Sequence, residues 1–125
     1  MLILYGKPSG RTCIKAKEWL QENNIPFIER NVFSDPLTFV EIKKILSLTE
    51  NGTEDIISQR SIKYQKKEIE IDQLQLKDLY SLIQKKPSIL KSPIIHDGKR
   101  FMVGFNESQI RRFVPKTVRH NNFLQ

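Results

Sequence analysis

Residues 2–33 read LILYGKPSGRTCIKAKEWLQENNIPFIERNVF and carry the pattern strand, helix, strand. Residues 2–5 form a short apolar run, and β-rich residues resume at Phe27 after a proline. Between them, residues 13–22 have helical spacing with an apolar face made by Ala16, Trp19 and Leu20. Because parallel strands need a crossover of this kind, the segment predicts a small sheet with at least one parallel pair.

Residues 35–86 are predicted to be a mostly helical insertion. Thr38 lies near the start of one helix, and the Asn51-Gly52 dipeptide predicts a turn. Thr53 is predicted to cap a short helix over residues 54–57. The strongest helical spacing in the chain is that of Leu76, Leu79, Tyr80 and Ile83.

A β-hairpin and a last helix are predicted after this insertion. Residues 94–95 and 100–103 read as strands, and Asp97-Gly98 between them is a hairpin turn signal. Asn106 is a candidate N-cap for the helix that follows. The predicted order is therefore strand, helix, strand, helical insertion, hairpin and helix.

The length of 125 residues, of which 38% are hydrophobic, suits one domain. We place that domain at residues 1–119 and expect residues 120–125 to be a flexible tail. The formal net charge of +7 favours an acidic partner, such as nucleic acid, an acidic protein surface or a small oxyanion.

The composition also predicts what the chain does not use. One cysteine cannot form an internal disulfide, and His96 and His120 are too isolated to suggest a metal site. No cofactor is expected. The sequence has no signal-like start and no run of about 20 apolar residues, so we expect a cytoplasmic protein without a membrane partner.

The turn KPSGRTC, residues 7–13, places Cys13 in the first turn of the predicted helix. Unpaired amides and the helix dipole favour a thiolate there, which would make a redox thiol of Cys13. Arg11 and Lys15 would help to hold such a thiolate. The alternative is that Cys13 is a half-buried small hydrophobe.

The chain resembles the Spx branch of the arsenate reductase (ArsC) family over nearly its whole length. The resemblance is carried by residues 2–37, by LTENGTEDIISQRS, and by DLYSLIQKKPSILKSPIIHDGKRFMVGFNESQIRRFVPKTVR. It implies a thioredoxin-like α/β fold, a mixed small sheet flanked by helices with a helical insertion between the second and third strands. It also implies a cis-proline at Pro93, which would bring Ser92 near Cys13. The family's C-x-x-C switch would begin at position 10, where this chain has Gly10.

The resemblance implies a regulator of stress-response transcription that binds the C-terminal domain of the RNA polymerase α subunit. The family's polymerase-contact glycine matches Gly52, although an Asn-Gly turn needs such a glycine for its backbone alone. Promoter DNA is expected as a partner only within the polymerase complex. A basic segment begins at residue 99, and it is either a surface for phosphates or a solvated face. Its one acid is Glu107, and its basic residues are Lys99, Arg100, Arg111, Arg112, Lys116 and Arg119.

An arsenate reductase-like or glutaredoxin-like thiol enzyme using Cys13 is the alternative function. A tetrahedral oxyanion requires converging guanidinium groups, and Arg60 and Arg100 lie where the family's anion-binding arginines tend to fall. The position before Pro93 is commonly arginine in the family and is Ser92 here. The reductase cysteine aligns nearer to Gly10 than to Cys13. The sequence therefore favours a regulator that is not an enzyme.

Overall fold

The computed structural model of this protein describes residues 1–58 and 75–114. Its first half contains β1 (Leu2–Gly6), α1 (Arg11–Glu22), β2 (Phe27–Asn31), α2 (Phe39–Ser47) and a 3-10 helix (Gly52–Asp55), which we call the Gly52 turn. Its second half contains α3 (Leu76–Lys85), a 3-10 helix (Pro87–Ile89), β3 (Ile94–His96), β4 (Phe101–Val103), α4 (Glu107–Ile110) and a final 3-10 helix (Arg111–Phe113). The described part of the insertion, residues 35–86, therefore holds α2, the Gly52 turn and α3.

The four described strands form one mixed sheet in the order β2-β1-β3-β4. β1 and β2 are parallel with α1 as their crossover, which confirms the predicted β-α-β unit. β3 is antiparallel to β1, and β4 is antiparallel to β3. The end of β1, the start of α1 and the start of β3 therefore meet at one end of the sheet, the Cys13 end. The turn between β3 and β4 lies at the other, the hairpin end.

The sheet separates two apolar clusters because alternate strand side chains point to opposite faces. On one face, Leu2 and Leu4 pack with α1. On the other, Tyr5 packs with α2 and α3, whose buried members are Ile42, Ile45, Leu79 and Ile83. Five aromatic side chains lie in or against these clusters, with Phe113 buried and Trp19, Phe27, Phe101 and Phe105 partly buried.

Several local predictions are confirmed and one is wrong. Thr38 caps α2 in a capping box with Glu41, and the Asn106 side chain accepts hydrogen bonds from the first turn of α4. Thr53, by contrast, lies inside the Gly52 turn and does not begin a helix. The turn starts earlier because the Asp55 carboxylate accepts the backbone N–H groups of Glu50 and Asn51.

Two parts of the chain lie outside the described residues, 59–74 and 115–125. The first contains Arg60, and the second contains Lys116, Arg119, His120 and the predicted tail. Within residues 1–58 and 75–114, no helix has the length and apolarity needed to span a bilayer. No group of three or more metal-ligating side chains comes together in the same residues.

Candidate functional site

The only cysteine lies in the first turn of α1 but inside the protein. α1 begins at Arg11, and its N-cap Gly10 contributes no side-chain hydrogen bond. Cys13 is 1% exposed and belongs to the core cluster beneath α1. The structure therefore agrees with an apolar role for Cys13, and the burial is more complete than the half-buried state expected. Arg11 and Lys15, in contrast, are both exposed.

Ser92 closes over the thiol from the other side of the turn. The Ser92-Pro93 peptide bond is cis, as the resemblance implied. The Cys13 Sγ and Ser92 Oγ atoms lie 3.4 Å apart, within hydrogen-bond distance. The Lys7 backbone N–H also donates to Ser92 Oγ, at 3.2 Å. The Cys13 end thus pairs the thiol with a hydroxyl group.

Gly6 makes this contact possible. A Cβ atom at Gly6 would lie 2.4 Å from Cys13 Sγ and 2.7 Å from Ser92 Oγ. Both distances are far inside van der Waals contact. Any larger residue at position 6 would therefore have to displace the thiol and the hydroxyl.

Gly10 has ordinary backbone angles, with φ −68° and ψ 137°. A Cβ atom at Gly10 would lie 3.9 Å from the Cβ atom of Cys13. Disulfides typically join Cβ atoms about 3.5–4.5 Å apart. The turn therefore keeps the spacing of a C-x-x-C disulfide although this chain has a single thiol.

Arg100 does not converge on Cys13. As the residue before β4, it lies at the hairpin end of the sheet, opposite the Cys13 end. Its guanidinium pairs with Asp97 at 3.1 Å and also donates to the Arg112 carbonyl oxygen. The structure therefore places the anion-binding candidate Arg100 away from Cys13, because antiparallel pairing carries the start of β4 to the hairpin end. Arg60 lies outside the described residues.

Gly52 lies on an accessible turn. Its φ of +70° favours glycine, and a Cβ atom built on it would meet no atom of residues 1–58 and 75–114 within 4 Å. The hydrogen bond from the Asn51 backbone is the largest influence that lowers the pKa of Asp55. Further hydrogen bonds from the Asn51 side chain and the Glu50 backbone act in the same direction and keep the carboxylate charged. The Asp55 carboxylate holds the turn through the N–H groups of Glu50 and Asn51. Among the described residues, the space around the Cβ position of Gly52 is open.

A family comparison accounts for this architecture. A family model described as "ArsC family" matches residues 5–113, which includes both the Cys13 end and the Gly52 turn. The chain belongs to the ArsC family. The match spans most of the chain and confirms the resemblance carried by the sequence motifs.

Within the ArsC family, the chain is similar to Spx regulators. It is 57% identical over 119 residues to the "Global transcriptional regulator Spx 1" of Oceanobacillus iheyensis. It is 56% identical over 119 residues to the "Global transcriptional regulator Spx" of Staphylococcus aureus strain Mu50. Each alignment covers 95% of this chain and 91% of the relative. The likeness supports transcription regulation as the function of this ArsC-family chain.

The same fold occurs in solved structures of the family. An ArsC-family-related protein from Bacteroides fragilis superposes with a TM-score of 0.75 at 23% identity, covering 90% of this chain and 96% of that protein. At this identity the likeness shows the fold alone. The fold is α/β and thioredoxin-like, as predicted.

Sequence reasoning missed a polar network that links the sheet to α2. Glu41 accepts hydrogen bonds from Arg30 and, at 3.2 Å, from the Tyr5 hydroxyl group. Burial and the neighbouring Glu41 carboxylate raise the pKa of Tyr5 to about 12. Burial opposes ionisation of Glu41, but the hydrogen bonds from Arg30 and Thr38 outweigh it and lower its pKa. The one local signal was the Thr38-x-x-Glu41 pattern of a capping box.

His96 was also missed as a buried titratable group. It is 5% exposed, stacks on Tyr5 at a ring distance of 5.7 Å, and its Nδ1 accepts the Gly98 backbone N–H. Burial and the positive charge of Lys44 lower its pKa. The sequence showed only an isolated histidine within an apolar strand.

Proposed function

We propose that this chain regulates transcription by binding the C-terminal domain of the RNA polymerase α subunit through a surface that includes Gly52. The observation that carries the proposal is the space beyond the Gly52 backbone, where a Cβ atom would meet nothing within 4 Å among the described residues. The names of the Spx relatives support transcription regulation. The polymerase contact itself is the step that the proposal adds.

The Gly52 turn suits a partner that packs closely against the backbone. A positive φ is satisfied by glycine, and the missing side chain leaves the peptide groups of the turn accessible. The Asp55 carboxylate holds the turn through the N–H groups of Glu50 and Asn51. A turn that is held by its own hydrogen bonds loses less conformational entropy on binding than an unrestrained loop, which favours affinity.

Regulation through this surface would not depend on a dithiol switch or on catalysis. Gly10 supplies no second thiol, and Cys13 is 1% exposed, so an oxidant or a substrate reaches it poorly. We therefore propose a non-enzymatic regulator that requires no cofactor. Promoter DNA would meet exposed cations such as Lys99, Arg111 and Arg112 only within the polymerase complex.

Binding of the full chain to the purified C-terminal domain of the polymerase α subunit tests the proposal. The key variant is Gly52→Arg, in which a long side chain replaces the open space. Gly98→Arg is the matched control, because Gly98 also has a positive φ, +94°, and no described atom within 4 Å of its Cβ position. It adds the same charge and a similar backbone strain in a different turn. Gly52→Asn adds a side chain that tolerates positive φ.

We expect the wild-type chain and Gly98→Arg to bind alike, with and without peroxide. Gly52→Arg should lose at least about tenfold in affinity, and Gly52→Asn should lose less. Equal losses in Gly52→Arg and Gly98→Arg would assign the effect to backbone strain or charge. No binding by the wild-type chain would refute the proposed partner.

A further inference from the structure

Asn51 is the one asparagine of the sequence that is followed by glycine. Because glycine has no side chain to shield its backbone nitrogen, the Gly52 nitrogen is able to attack the side-chain amide of Asn51. The Asn51 side chain is exposed, so water reaches it as well. The Asn51-Gly52 pair therefore has the chemistry of a deamidation site, and the conformation of the turn controls whether it reacts.

The reaction needs only water and proceeds in two steps. The Gly52 nitrogen loses its proton and bonds to Asn51 Cγ, which expels the side-chain nitrogen as ammonia and leaves a cyclic succinimide. Water then adds to one of the two ring carbonyl carbons and breaks the bond of that carbon to the Gly52 nitrogen. Hydrolysis at Cγ gives aspartate, and hydrolysis at the backbone carbon gives isoaspartate. No group is oxidised or reduced in either step.

The backbone of Asn51 keeps the reacting atoms apart. Asn51 has φ −114° and ψ 16°. The succinimide ring requires the Gly52 nitrogen to eclipse the Asn51 Cβ, which in an L-residue occurs at ψ of about −120°, outside the main allowed regions. At ψ 16° the nitrogen lies on the far side of the Cα–C bond from the side chain. Asn51 therefore reacts only after the turn has opened.

The Asp55 carboxylate holds Asn51 in this unreactive conformation. Its Oδ2 accepts the backbone N–H groups of Glu50 and Asn51, each at 3.0 Å. Its Oδ1 accepts the Asn51 side-chain Nδ2 at 3.3 Å. Because Asp55 belongs to the 3-10 helix that follows Asn51, these bonds close a short loop of chain around the residue. Rotation of ψ to the reactive value would break them.

The charge of Asp55 acts in the same direction as its hydrogen bonds. The attack begins with loss of the Gly52 N–H proton and builds negative charge on the Asn51 side-chain oxygen. A carboxylate in contact with that side chain disfavours both changes. Glu54 is the other acid of the Gly52 turn, and it is exposed and holds neither of the two N–H groups. Asp55 is thus the acid that protects Asn51.

We propose that Asn51 is a deamidation site that Asp55 keeps unreactive, and that opening of the Gly52 turn converts Asn51 irreversibly to aspartate or isoaspartate. The conversion cannot reverse because ammonia is lost to the solvent. It replaces the amide that donates to Asp55 with a second carboxylate, so the modified turn no longer closes in the same way. This inference concerns the chemistry of the turn, and its test contains no polymerase, so it stands or fails independently of the proposed partner.

The test follows the full wild-type chain in mildly alkaline buffer by mass spectrometry of its peptides, which locates each amide that becomes an acid. The free peptide LTENGTED, residues 48–55, is the reference. Conversion of Asn51 should be at least about tenfold slower in the folded chain, because hydrogen bonds to a charged group must break first. Unfolding the chain in urea should restore the rate of the peptide. Equal rates in the folded chain and the peptide would overturn the proposal, as would no conversion in urea.

Two variants test whether Asp55 is the protecting residue. Asp55→Ala removes all of its hydrogen bonds and should raise the rate towards that of the free peptide. Glu54→Ala removes the same charge from the same turn and should leave the rate unchanged. Equal acceleration by the two variants would contradict the role of Asp55. Thermal melting shows whether both are folded, and if Asp55→Ala is not, the comparison of Asp55→Asn with Glu54→Gln decides the question.

The effect of the modification on the turn is tested without waiting for the reaction. Asn51→Asp places a carboxylate beside Asp55, while Asn51→Ser removes the amide without adding a charge. Amide hydrogen exchange, followed by NMR, reports on the two N–H groups that Asp55 holds, those of residues 50 and 51. Both should exchange several-fold faster in Asn51→Asp than in Asn51→Ser. Equal exchange in the two variants would refute the opening of the modified turn.

Discussion

The Cys13 end of the sheet and the Gly52 turn use glycine in opposite ways. At the Cys13 end, Gly6 is buried and leaves just enough room for Cys13 and Ser92 to touch. At the Gly52 turn, the position of a Cβ atom on the glycine has no neighbour within 4 Å in the part of the chain that the structure describes. One glycine permits internal packing, while the other leaves a surface free.

This contrast separates the inherited fold from the function that we propose. The Cys13 end keeps the helix start, the cis-proline and the disulfide spacing at position 10, but its thiol is buried and single. The Gly52 turn needs no chemistry to act, since shape and backbone access are sufficient for binding a partner. In this chain, therefore, the accessible features lie away from the thiol.

The largest expected effect is that of Gly6→Ala at the closed end. Its Cβ would overlap Cys13 Sγ and Ser92 Oγ, so we expect the free energy of unfolding to fall by about 3 kcal/mol. Urea denaturation measures the change. Gly98→Ala, which has open space but a positive φ, should lose only about 1 kcal/mol.

A double variant identifies the cause of that loss. Combining Gly6→Ala with Cys13→Ala removes the closest clash. The double variant should therefore lose less free energy of unfolding than the sum of the losses in the two single variants. Strict additivity would mean that the thiol is not what excludes a side chain at position 6.

The second prediction restores a dithiol to the turn. In Gly10→Cys, the two Cβ atoms would lie 3.9 Å apart, so mild oxidation should close a disulfide and thiol titration should fall from two groups to none. The oxidised variant should be more stable than its own reduced form by about 2 kcal/mol. Gly10→Ser is the control, since it adds a similar side chain without a thiol. Two persistent thiols after oxidation would contradict the spacing described here.

A smaller effect is expected from pH. Burial lowers the pKa of His96 in the folded chain, so below about pH 6.5 the unfolded chain binds more protons than the folded one. The free energy of unfolding should therefore fall as the pH drops through 6.5 and be insensitive to His96 above it. His96→Asn keeps an acceptor for the Gly98 N–H and should flatten this dependence. Denaturation of both chains at a series of pH values measures this dependence. If His96→Asn keeps the same change of unfolding free energy with pH as the wild-type chain, His96 is not its cause.

Local features of this fold could be predicted from the sequence because they depend on neighbouring residues. The β-α-β unit, the hairpin turn at Asp97-Gly98, the helix start near Thr38 and the cap at Asn106 all belong to this class. Thr53 was misplaced because Thr and Asp both cap turns, and the acceptor here is Asp55.

The site depended on contacts between distant residues, which no local pattern encodes. Cys13 contacts Ser92, 79 residues further along the chain, a proximity that only the family resemblance implied. The position of Arg100 follows from the antiparallel pairing of β3 with β1, which the hairpin pattern leaves open. The Gly52 turn was predicted, but the open space above it is visible only once the neighbouring elements are in place.

The Glu41 carboxylate joins partners at three distances along the chain. It accepts the N–H of Thr38 three residues away, the guanidinium of Arg30 eleven residues away and the hydroxyl of Tyr5 36 residues away. The entropy lost in closing a loop grows with its length, so these contacts become harder to form in that order. We expect the α2 cap to form early in folding, the contact with β2 to follow, and the Tyr5 bond to β1 to form last. One side chain thus connects levels of structure from a single helical turn to the completed sheet.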